Sequence, residues 1–301
     1  MHMAVLPKKA ASVILLRDTS KGVETFLIQR HVASSFMGGL YAFPGGKLDA
    51  EDFSEELLPH VEGITGKEAW AILGRKPSPQ IALAHWVTGI REVFEEVGVL
   101  FACDGRGNLI SFEDEKKRKK FERFRELLNK DKMTFVRILE KENLKLAADS
   151  LIHYSHWITP EARKKRYDTH FFIALVPEGQ IPSADQKEIT AGIWLTPQQA
   201  LKANISGDIP LTPPALCMLE ELVPFSSAED IIGFARERKM SDPIVPILTT
   251  INGYEVLLLP GDELYAACGG KEKRNYNNYQ TVRLILEKGR WFPSPSVQSD
   301  T

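Results

Sequence analysis

The sequence predicts an α/β fold with a C-terminal extension, on the basis of three features of its 301 residues. Short apolar runs of strand character alternate with segments whose apolar residues fall at helical spacing. Turn-forming residues separate these runs, and the character of the chain changes after Pro224. We therefore expect one domain over residues 1–222 and an extension, residues 223–301, packed on that domain.

The first two strands are predicted to form a hairpin. Ala10–Leu16 and Glu24–Gln29 are β-prone runs, and the stretch between them, Asp18–Gly22, is rich in turn-forming residues. A short strand that opens into a glycine-rich loop follows at residues 38–46. Residues 50–84 are mixed in character and are expected to contain short helices.

The clearest helix prediction covers Ile81–Val97, with Gly98 as its C-terminal stop. A second helical stretch lies at residues 104–150. Its basic run, Lys116–Lys120, is expected to face water because apolar residues of the same stretch share one helical face. The stretches 50–84 and 104–150 are two insertions in the domain, and they would form either a substrate lid or a homodimer contact.

The remaining elements follow the same logic. Strands are predicted at 153–158, 170–176 and 189–195, and a helix at 211–222. The extension is expected to contain a helix near 228–238 and a hairpin around Asn252-Gly253, a dipeptide that favours tight hairpin turns.

Composition narrows the class of protein. The net charge is −2 and the pI is about 6.4, which argues against a nucleic-acid-binding surface. Three widely spaced cysteines indicate neither a disulfide framework nor a short-spaced zinc site. No apolar run has the length of a membrane span or of a signal core. The expectation is a soluble, cytoplasmic protein without nucleic-acid or membrane partners.

The most informative segment is Arg91–Val99. Glu92, Glu95 and Glu96 stand at positions i, i+3 and i+4, so a helix places them on one face. Carboxylates crowded in this way repel each other, and a divalent cation relieves the repulsion. Oxygen ligands without a neighbouring His or Cys favour Mg²⁺, Mn²⁺ or Ca²⁺ over zinc. Taken alone, the segment also fits an acidic surface helix in which Arg91 pairs with Glu95.

The upstream loop, Phe43-Pro44-Gly45-Gly46, favours the metal interpretation because its glycines let the backbone approach a ligand closely. Together the loop and the helix resemble the Nudix box, G-x5-E-x7-R-E-U-x-E-E-x-G-U, where U is aliphatic. Gly46 matches the first glycine, and Arg91–Val99 matches every defined position of the second half. The sequence departs from the pattern at Asp52, which stands in place of the glutamate. Asp52 precedes Arg91 by 39 positions where the pattern has eight, so about 31 residues are inserted.

This insertion is similar to that of the peroxisomal coenzyme A diphosphatase-like branch of the Nudix hydrolases. Segments of the chain that resemble this branch are Phe36–Gly39, Trp157–Pro160, Arg166–Phe172, Trp194–Pro197 and Leu259–Asp262. The resemblance implies an α/β/α sandwich with a mixed sheet. It also implies metal-dependent hydrolysis of a pyrophosphate bond in a small-molecule nucleoside diphosphate derivative, with Mg²⁺ or Mn²⁺ as cofactor.

Roles for individual residues come from the same resemblance. Glu92, Glu95 and Glu96 would be metal ligands, with the Gly45 carbonyl as a further ligand, and Arg91 would orient the helix by pairing with Asp52 or a glutamate. The general base would be Glu92 or Glu188, with Asp185 in reserve for Glu188. Substrate contacts would come from Arg30, Phe43 and Gly46. Arg166 is a second phosphate candidate, although a surface position is favoured for it, and His153 and His170 are interpreted as sheet residues.

The substrate prediction is coenzyme A or acyl-coenzyme A. The chain keeps Leu27, Arg30, Gly39 and Phe43 in the register of the coenzyme A signature, but it has His31 and Ser35 at two other signature positions. ADP-ribose, NADH and dinucleoside polyphosphates are alternatives within the same chemistry. A binding module with the Nudix fold and no catalysis is the alternative from another class, and such a module is expected to have lost metal carboxylates.

Overall fold

A mixed β-sheet forms the centre of the protein in the computed structural model, which describes residues 5–32, 37–184, 189–238, 242–271 and 280–294. Its long strands are β1 (Lys8–Thr19), β2 (Gly22–Arg30), β8 (Ile152–Ile158), β9 (Tyr167–Leu175) and β10 (Ile189–Leu195). Their spatial order is β10-β2-β1-β9-β8, in which β1 and β9 are parallel and the other pairs antiparallel. Two short strands, β3 (Tyr41–Ala42) and β4 (Gly45–Lys47), pair with β2 and β1.

Helices cover both faces of this sheet. Successive residues of β1 alternate between the two cores, with Val13 packed toward α2 (Pro79–Val97) and Ile14 toward the opposite helices. That opposite layer consists of α5 (Pro197–Ser206), α6 (Pro213–Leu222) and α7 (Ala228–Glu237). The predicted α/β/α sandwich with a mixed sheet is confirmed.

Both insertions pack around α2. The first contains short 3-10 turns, β5 (Val61–Glu62) and α1 (Gly66–Ile72); the second contains β6 (Ala102–Cys103), α3 (Glu115–Leu128), α4 (Phe135–Glu142) and β7 (Lys145–Ala147). Strands from the two insertions join in a small sheet of order β5-β7-β6. In α3 the aromatic residues Phe121 and Phe124 are buried and the basic run is largely exposed, as the apolar spacing predicts.

After α7, the extension forms an antiparallel sheet from β11 (Ile247–Ile251), β12 (Tyr254–Leu258), β13 (Arg283–Glu287) and β14 (Arg290–Pro293). Asn252 and Gly253 both have positive φ and join β11 to β12 in the predicted hairpin. Leu257 and Trp291 belong to the same apolar core as the central sheet. The segment Leu259–Asp262 ends at a carboxylate that forms a buried ion pair with Arg283, which explains its acidic residue.

No helix among the described residues is long and apolar enough to cross a membrane.

Candidate metal and phosphate site

Gly45 and Gly46 bring the loop before α2 into direct contact with the sheet and with the helix. A side chain at Gly45, which has φ +153°, would place its Cβ 2.2 Å from the carbonyl oxygen of Ala11. A Cβ at Gly46 would lie 2.4 Å from the carboxylate of Glu92. Ser12 fixes the loop by donating a hydrogen bond to the Pro44 carbonyl at 2.9 Å. Glycine at position 45 therefore allows the loop to pack against β1, and glycine at position 46 allows it to lie beside the Glu92 carboxylate.

Asp52 and Arg91, which are 39 positions apart, form a buried bidentate ion pair. Arg91 Nε lies 2.7 Å from Asp52 Oδ1, and Nη2 lies 2.9 Å from Oδ2. The Asp52 side chain is 0% exposed, and it also accepts hydrogen bonds from the Thr88 hydroxyl at 2.7 Å and the Asp49 amide at 2.9 Å. The two halves of the box therefore meet in the folded protein despite the insertion, and the Asp52–Arg91 pair joins them.

Arg91 also holds two of the three glutamates. Its Nη1 donates to Glu92 Oε1 and to Glu95 Oε2, each at 3.0 Å, and its Nη2 donates to the Lys47 carbonyl at 3.0 Å. Although burial opposes it, the hydrogen bond to Asp52 raises the pKa of Arg91, so the guanidinium stays charged. One arginine therefore links the first half of the box to the carboxylates of α2.

Glu96 takes a different partner from its two neighbours. Its Oε2 accepts a hydrogen bond from the Gly45 amide at 2.7 Å, which ties the loop to the last turn of α2. From α3, Arg125 Nε donates to the Glu95 carbonyl at 2.8 Å, and Asn129 donates to the same carbonyl at 3.2 Å. Cationic and amide donors at this end satisfy carbonyls that an α-helix leaves without partners. Arg125 therefore positions the carboxylate turn from within the second insertion.

The charges at this site favour a bound cation. Burial raises the pKa of Glu92 to about 7, against the lowering effect of Arg91, and Glu95 adds to the rise. Burial likewise raises the pKa of Glu95. Carboxylates that are costly to ionise in this environment gain most from a divalent cation. The donors at hand are oxygens alone, which suits a hard cation such as Mg²⁺ or Mn²⁺. The residues therefore fit a metal of this class.

The glutamate oxygens do not converge on a common point in this structure. In the described part of the chain, one set of three ligand atoms from His, Cys, Asp or Glu lies mutually within 4.8 Å, and it consists of His156, Asp168 and His170. Glu92 and Glu95 instead face Arg91, and Glu96 faces the Gly45 amide. The N–H donors of the loop and of Arg91 account for this arrangement, because they supply the positive charge that balances the carboxylates.

Two cavities meet at the glutamates. The first, of about 390 Å³, is lined both by residues of the box and by aromatic, proline and aliphatic side chains. Its apolar lining includes Trp157, Phe171, Pro213, Leu257 and Trp291. The second, of about 750 Å³, lies between the same glutamates and the loop at 128–134 of the second insertion. The carboxylates thus stand between a groove shaped by the C-terminal extension and a cavity bounded by the insertion.

Of the other predicted site residues, some line the first cavity and others lie outside the described residues. Arg30 ends β2 and lines the first cavity, and its buried Nε has no hydrogen-bond partner among the described residues. Phe43 is buried and lines the same cavity. Glu188 and Asp185 lie outside the described residues, as does Ser35; Ile189, the next described residue after Glu188, pairs with Arg30 across β10 and β2.

Arg166 corrects one expectation. Its side chain is buried rather than at the surface, and it donates to the carbonyls of Thr159 at 3.0 Å and Val5 at 2.8 Å. Both contacts are to backbone, so Arg166 braces the segment before β9, and it is not among the residues that line either cavity.

Sequence reasoning missed Arg125, Leu257 and Trp291. Arg125 lies 30 residues from Glu95, and its i, i+3 and i+4 neighbours resemble those of any charged surface helix. Leu257 and Trp291 belong to a sheet that reaches the groove only through packing on the core. No local spacing signals such contacts.

Comparisons with known proteins show similarity to Nudix hydrolases. Residues 76–222 match the family described as the NUDT19 Nudix domain, a range that includes α2 but begins after Gly45, Gly46 and Asp52. Acyl-coenzyme A diphosphatase NUDT19 of Gallus gallus is 29% identical, over 89% of this chain and 80% of its own length. The protein of the same name from Xenopus laevis is 25% identical, over 92% and 81%. A NUDIX hydrolase structure from Alicyclobacillus acidocaldarius covers 77% of this chain and 97% of its own, with a TM-score of 0.61 and 24% identity.

Proposed function

We propose that this chain, which belongs to the Nudix hydrolase superfamily, hydrolyses the pyrophosphate bond of coenzyme A or acyl-coenzyme A with Mg²⁺ or Mn²⁺. One observation carries the proposal: α2 presents Glu92, Glu95 and Glu96 to a groove that is also lined by aromatic, proline and aliphatic side chains. Such a groove suits a substrate with a charged diphosphate at one end and an uncharged arm at the other.

Glu92, Glu95 and Glu96 would hold the cation, with the Gly45 carbonyl as a further ligand. When bound, the cation neutralises charge on the phosphate oxygens and lowers the pKa of a bound water. Gly46 would let the backbone of the loop stay against the Glu92 carboxylate, because a Cβ at this position would lie 2.4 Å from it.

Side chains of the protein would bind the substrate and accept the proton of the attacking water. Arg30 would bind a phosphate oxygen through its buried Nε, since this donor has no partner among the described residues. Arg91 would keep Glu92 and Glu95 in place through its Nη1. Glu92 or Glu188 would accept a proton from the attacking water. Water adds to one phosphorus, the bridging P–O bond breaks, and coenzyme A yields phosphopantetheine and adenosine 3′,5′-bisphosphate.

The apolar lining of the groove supports an acylated substrate. Leu257 and Trp291 come from the extension, and Trp157 and Phe171 from the central sheet. An acyl-pantetheine arm would contact the atoms that these largely buried side chains present to the groove. The relatives named above as acyl-coenzyme A diphosphatases agree with this choice. ADP-ribose, NADH and dinucleoside polyphosphates lack such an arm and would not make these contacts.

A panel of pyrophosphate compounds, incubated with Mg²⁺ or Mn²⁺ and resolved by chromatography, tests the proposal. We expect adenosine 3′,5′-bisphosphate from coenzyme A and a higher kcat/KM for acyl-coenzyme A. Leu257→Ala should reduce kcat/KM for acyl-coenzyme A more than for free coenzyme A, whereas Ile205→Ala, at an exposed residue of α5, should affect neither. Turnover of ADP-ribose or a dinucleotide alone would retain the chemistry and reject the substrate.

If no compound of the panel is hydrolysed, the result would instead favour a binding module without catalysis. Against that alternative, the chain retains all three glutamates of α2 together with the Arg91–Asp52 pair that holds the helix. We also propose a reducing, cytoplasmic compartment, because Cys103, Cys217 and Cys268 are free thiols.

A further inference from the structure

A cluster of imidazoles and one carboxylate lies on the α2 side of strands β8 and β9. His156 of β8 faces His170 of β9 in the strand register, and Asp168 is two residues before His170 on the same side of β9. A register shift between His153 and Ser155 brings His153 to the same face as His156. None of these side chains is among the residues that line the two cavities.

We propose that His156, Asp168 and His170 form a binding site for a first-row transition cation such as Zn²⁺, separate from the carboxylates of α2. Their ligand atoms lie within 4.8 Å of one another, and the group is unique in this respect within the described ranges. Two imidazoles and one carboxylate are a donor set that zinc commonly takes, with a water completing a tetrahedron. Hard cations such as Mg²⁺ prefer oxygen donors and would remain at the glutamates.

Neighbouring groups hold His170 from two sides, and its ring is stacked on that of His156 with ring centroids 3.9 Å apart. An imidazole binds a cation in the plane of its ring, so the partly exposed His156 ring must turn out of this stack for both rings to reach one ion. His170 Nδ1 lies 3.0 Å from His153 Nε2, which leaves Nε2 of His170 for a cation. His85 of α2 packs edge-on against the His170 ring, and its own Nδ1 lies 2.8 Å from the Ile81 carbonyl. His170 is therefore fixed by a contact on the sheet and by one from the helix above it.

Access from solvent also suits a cation. The side chains of His156 and Asp168 are 17% and 23% exposed, whereas His170 is buried behind them, so the cluster opens to water on one side. His156 Nε2 and Asp168 Oδ1 are in hydrogen-bond contact, and a cation would replace the hydrogen between them.

One neighbouring charge opposes the cation. Lys9 of β1 pairs with Asp168 in the strand register, and its positive charge acts on the whole cluster. The other titratable groups that face the cluster are His85 and His153, which both contact the His170 ring. This arrangement predicts changes of opposite sign: removing Lys9 should tighten zinc binding, and removing a ligand should weaken it.

Calorimetric titration of the full-length protein with Zn²⁺, in millimolar Mg²⁺ that occupies the glutamates, tests the site. We expect one bound Zn²⁺, and Co²⁺ in its place should give a visible absorption band. His156→Gln and Asp168→Asn should weaken Zn²⁺ binding about 100-fold or more and abolish the band. Lys9→Met should tighten binding about tenfold, and the control His60→Gln should change nothing.

Zn²⁺ binding that survives in both ligand variants, or no binding to the wild type, would overturn the proposal. Loss of the bound Zn²⁺ in Glu95→Gln, with binding intact in His156→Gln, would assign the ion to α2 and also overturn it. Circular dichroism of each variant separates loss of a ligand from loss of the fold, and Lys9→Met tests the site without removing a ligand.

Discussion

Replacing Asp52 by asparagine removes one charge from the buried pair with Arg91 and leaves the side-chain volume almost unchanged. The carboxylate is fully buried and accepts from the Arg91 guanidinium, the Thr88 hydroxyl and the Asp49 amide. Removing one partner of a buried ion pair costs about 3–5 kcal/mol when the other charge stays buried without compensation. Arg91 keeps its ion pairs with Glu92 and Glu95, which reduces this cost. Asparagine still accepts one of these hydrogen bonds, so we expect a loss near the lower end, about 3 kcal/mol.

This loss should lower the melting temperature by about 6–12 °C in a chain of this size. Thermal and urea unfolding, followed by tryptophan fluorescence in the absence of metal, measure it. Turnover should fall as well, because Arg91 no longer has the anchor from which it holds Glu92 and Glu95.

Asp49→Asn is the matched control for Asp52→Asn. Asp49 faces the same arginine at 3.7 Å, but its side chain is 58% exposed. An exposed pair of this kind contributes less than about 1 kcal/mol, so the free energy of unfolding should change little. Equal losses of stability in the two variants would refute the reasoning that burial of the Asp52–Arg91 pair anchors α2.

Three further predictions concern the same site. Glu95→Gln should remove most turnover in the product assay and reduce the metal-induced rise in melting temperature, while circular dichroism shows the fold unchanged. Mg²⁺ or Mn²⁺ should raise the melting temperature more near pH 8 than near pH 6. Burial raises the pKa of Glu92 from 4.5 to about 7, so the metal-free fold loses stability as the pH rises through this range and the cation restores it. Gly46→Ala should lower turnover, because its Cβ would lie 2.4 Å from the Glu92 carboxylate.

Each of these three predictions has a result that would contradict it. Full activity in Glu95→Gln would move the metal away from α2. A metal-induced shift that is larger near pH 6 would contradict the direction given for the pKa of Glu92. Wild-type turnover in Gly46→Ala would mean that the loop can shift away from Glu92. Gly233→Ala, at an exposed glycine of α7 with open space around it and no positive φ, is the control for glycine replacement itself.

Much of the fold could be predicted from the sequence. Helix α2 begins two residues before its predicted start and ends at Gly98 as expected, because apolar spacing and capping residues act within a few positions. The strands β1 and β2 are longer than predicted and the turn between them is shorter. Charged residues at their ends, such as Arg17 and Glu24, pair with each other across the hairpin, and hydropathy alone does not register such pairs.

Part of the candidate site could also be predicted from local spacing in the sequence. By itself the sequence determined that Glu92, Glu95 and Glu96 share a helical face, since that depends only on their spacing. It also pointed to the glycine pair before Asp52 as the loop that accompanies them. These inferences need no knowledge of how distant segments pack.

Only the tertiary structure decided which distant groups meet. The Asp52–Arg91 pair spans 39 positions, Arg125 reaches the end of α2 from the second insertion, and Trp291 reaches the groove from the last strand. His156 and His170 face each other because a register shift aligns two strands. Such contacts arise from the burial of apolar faces against one another, which is non-directional and leaves no periodic signal in the residues that it brings together.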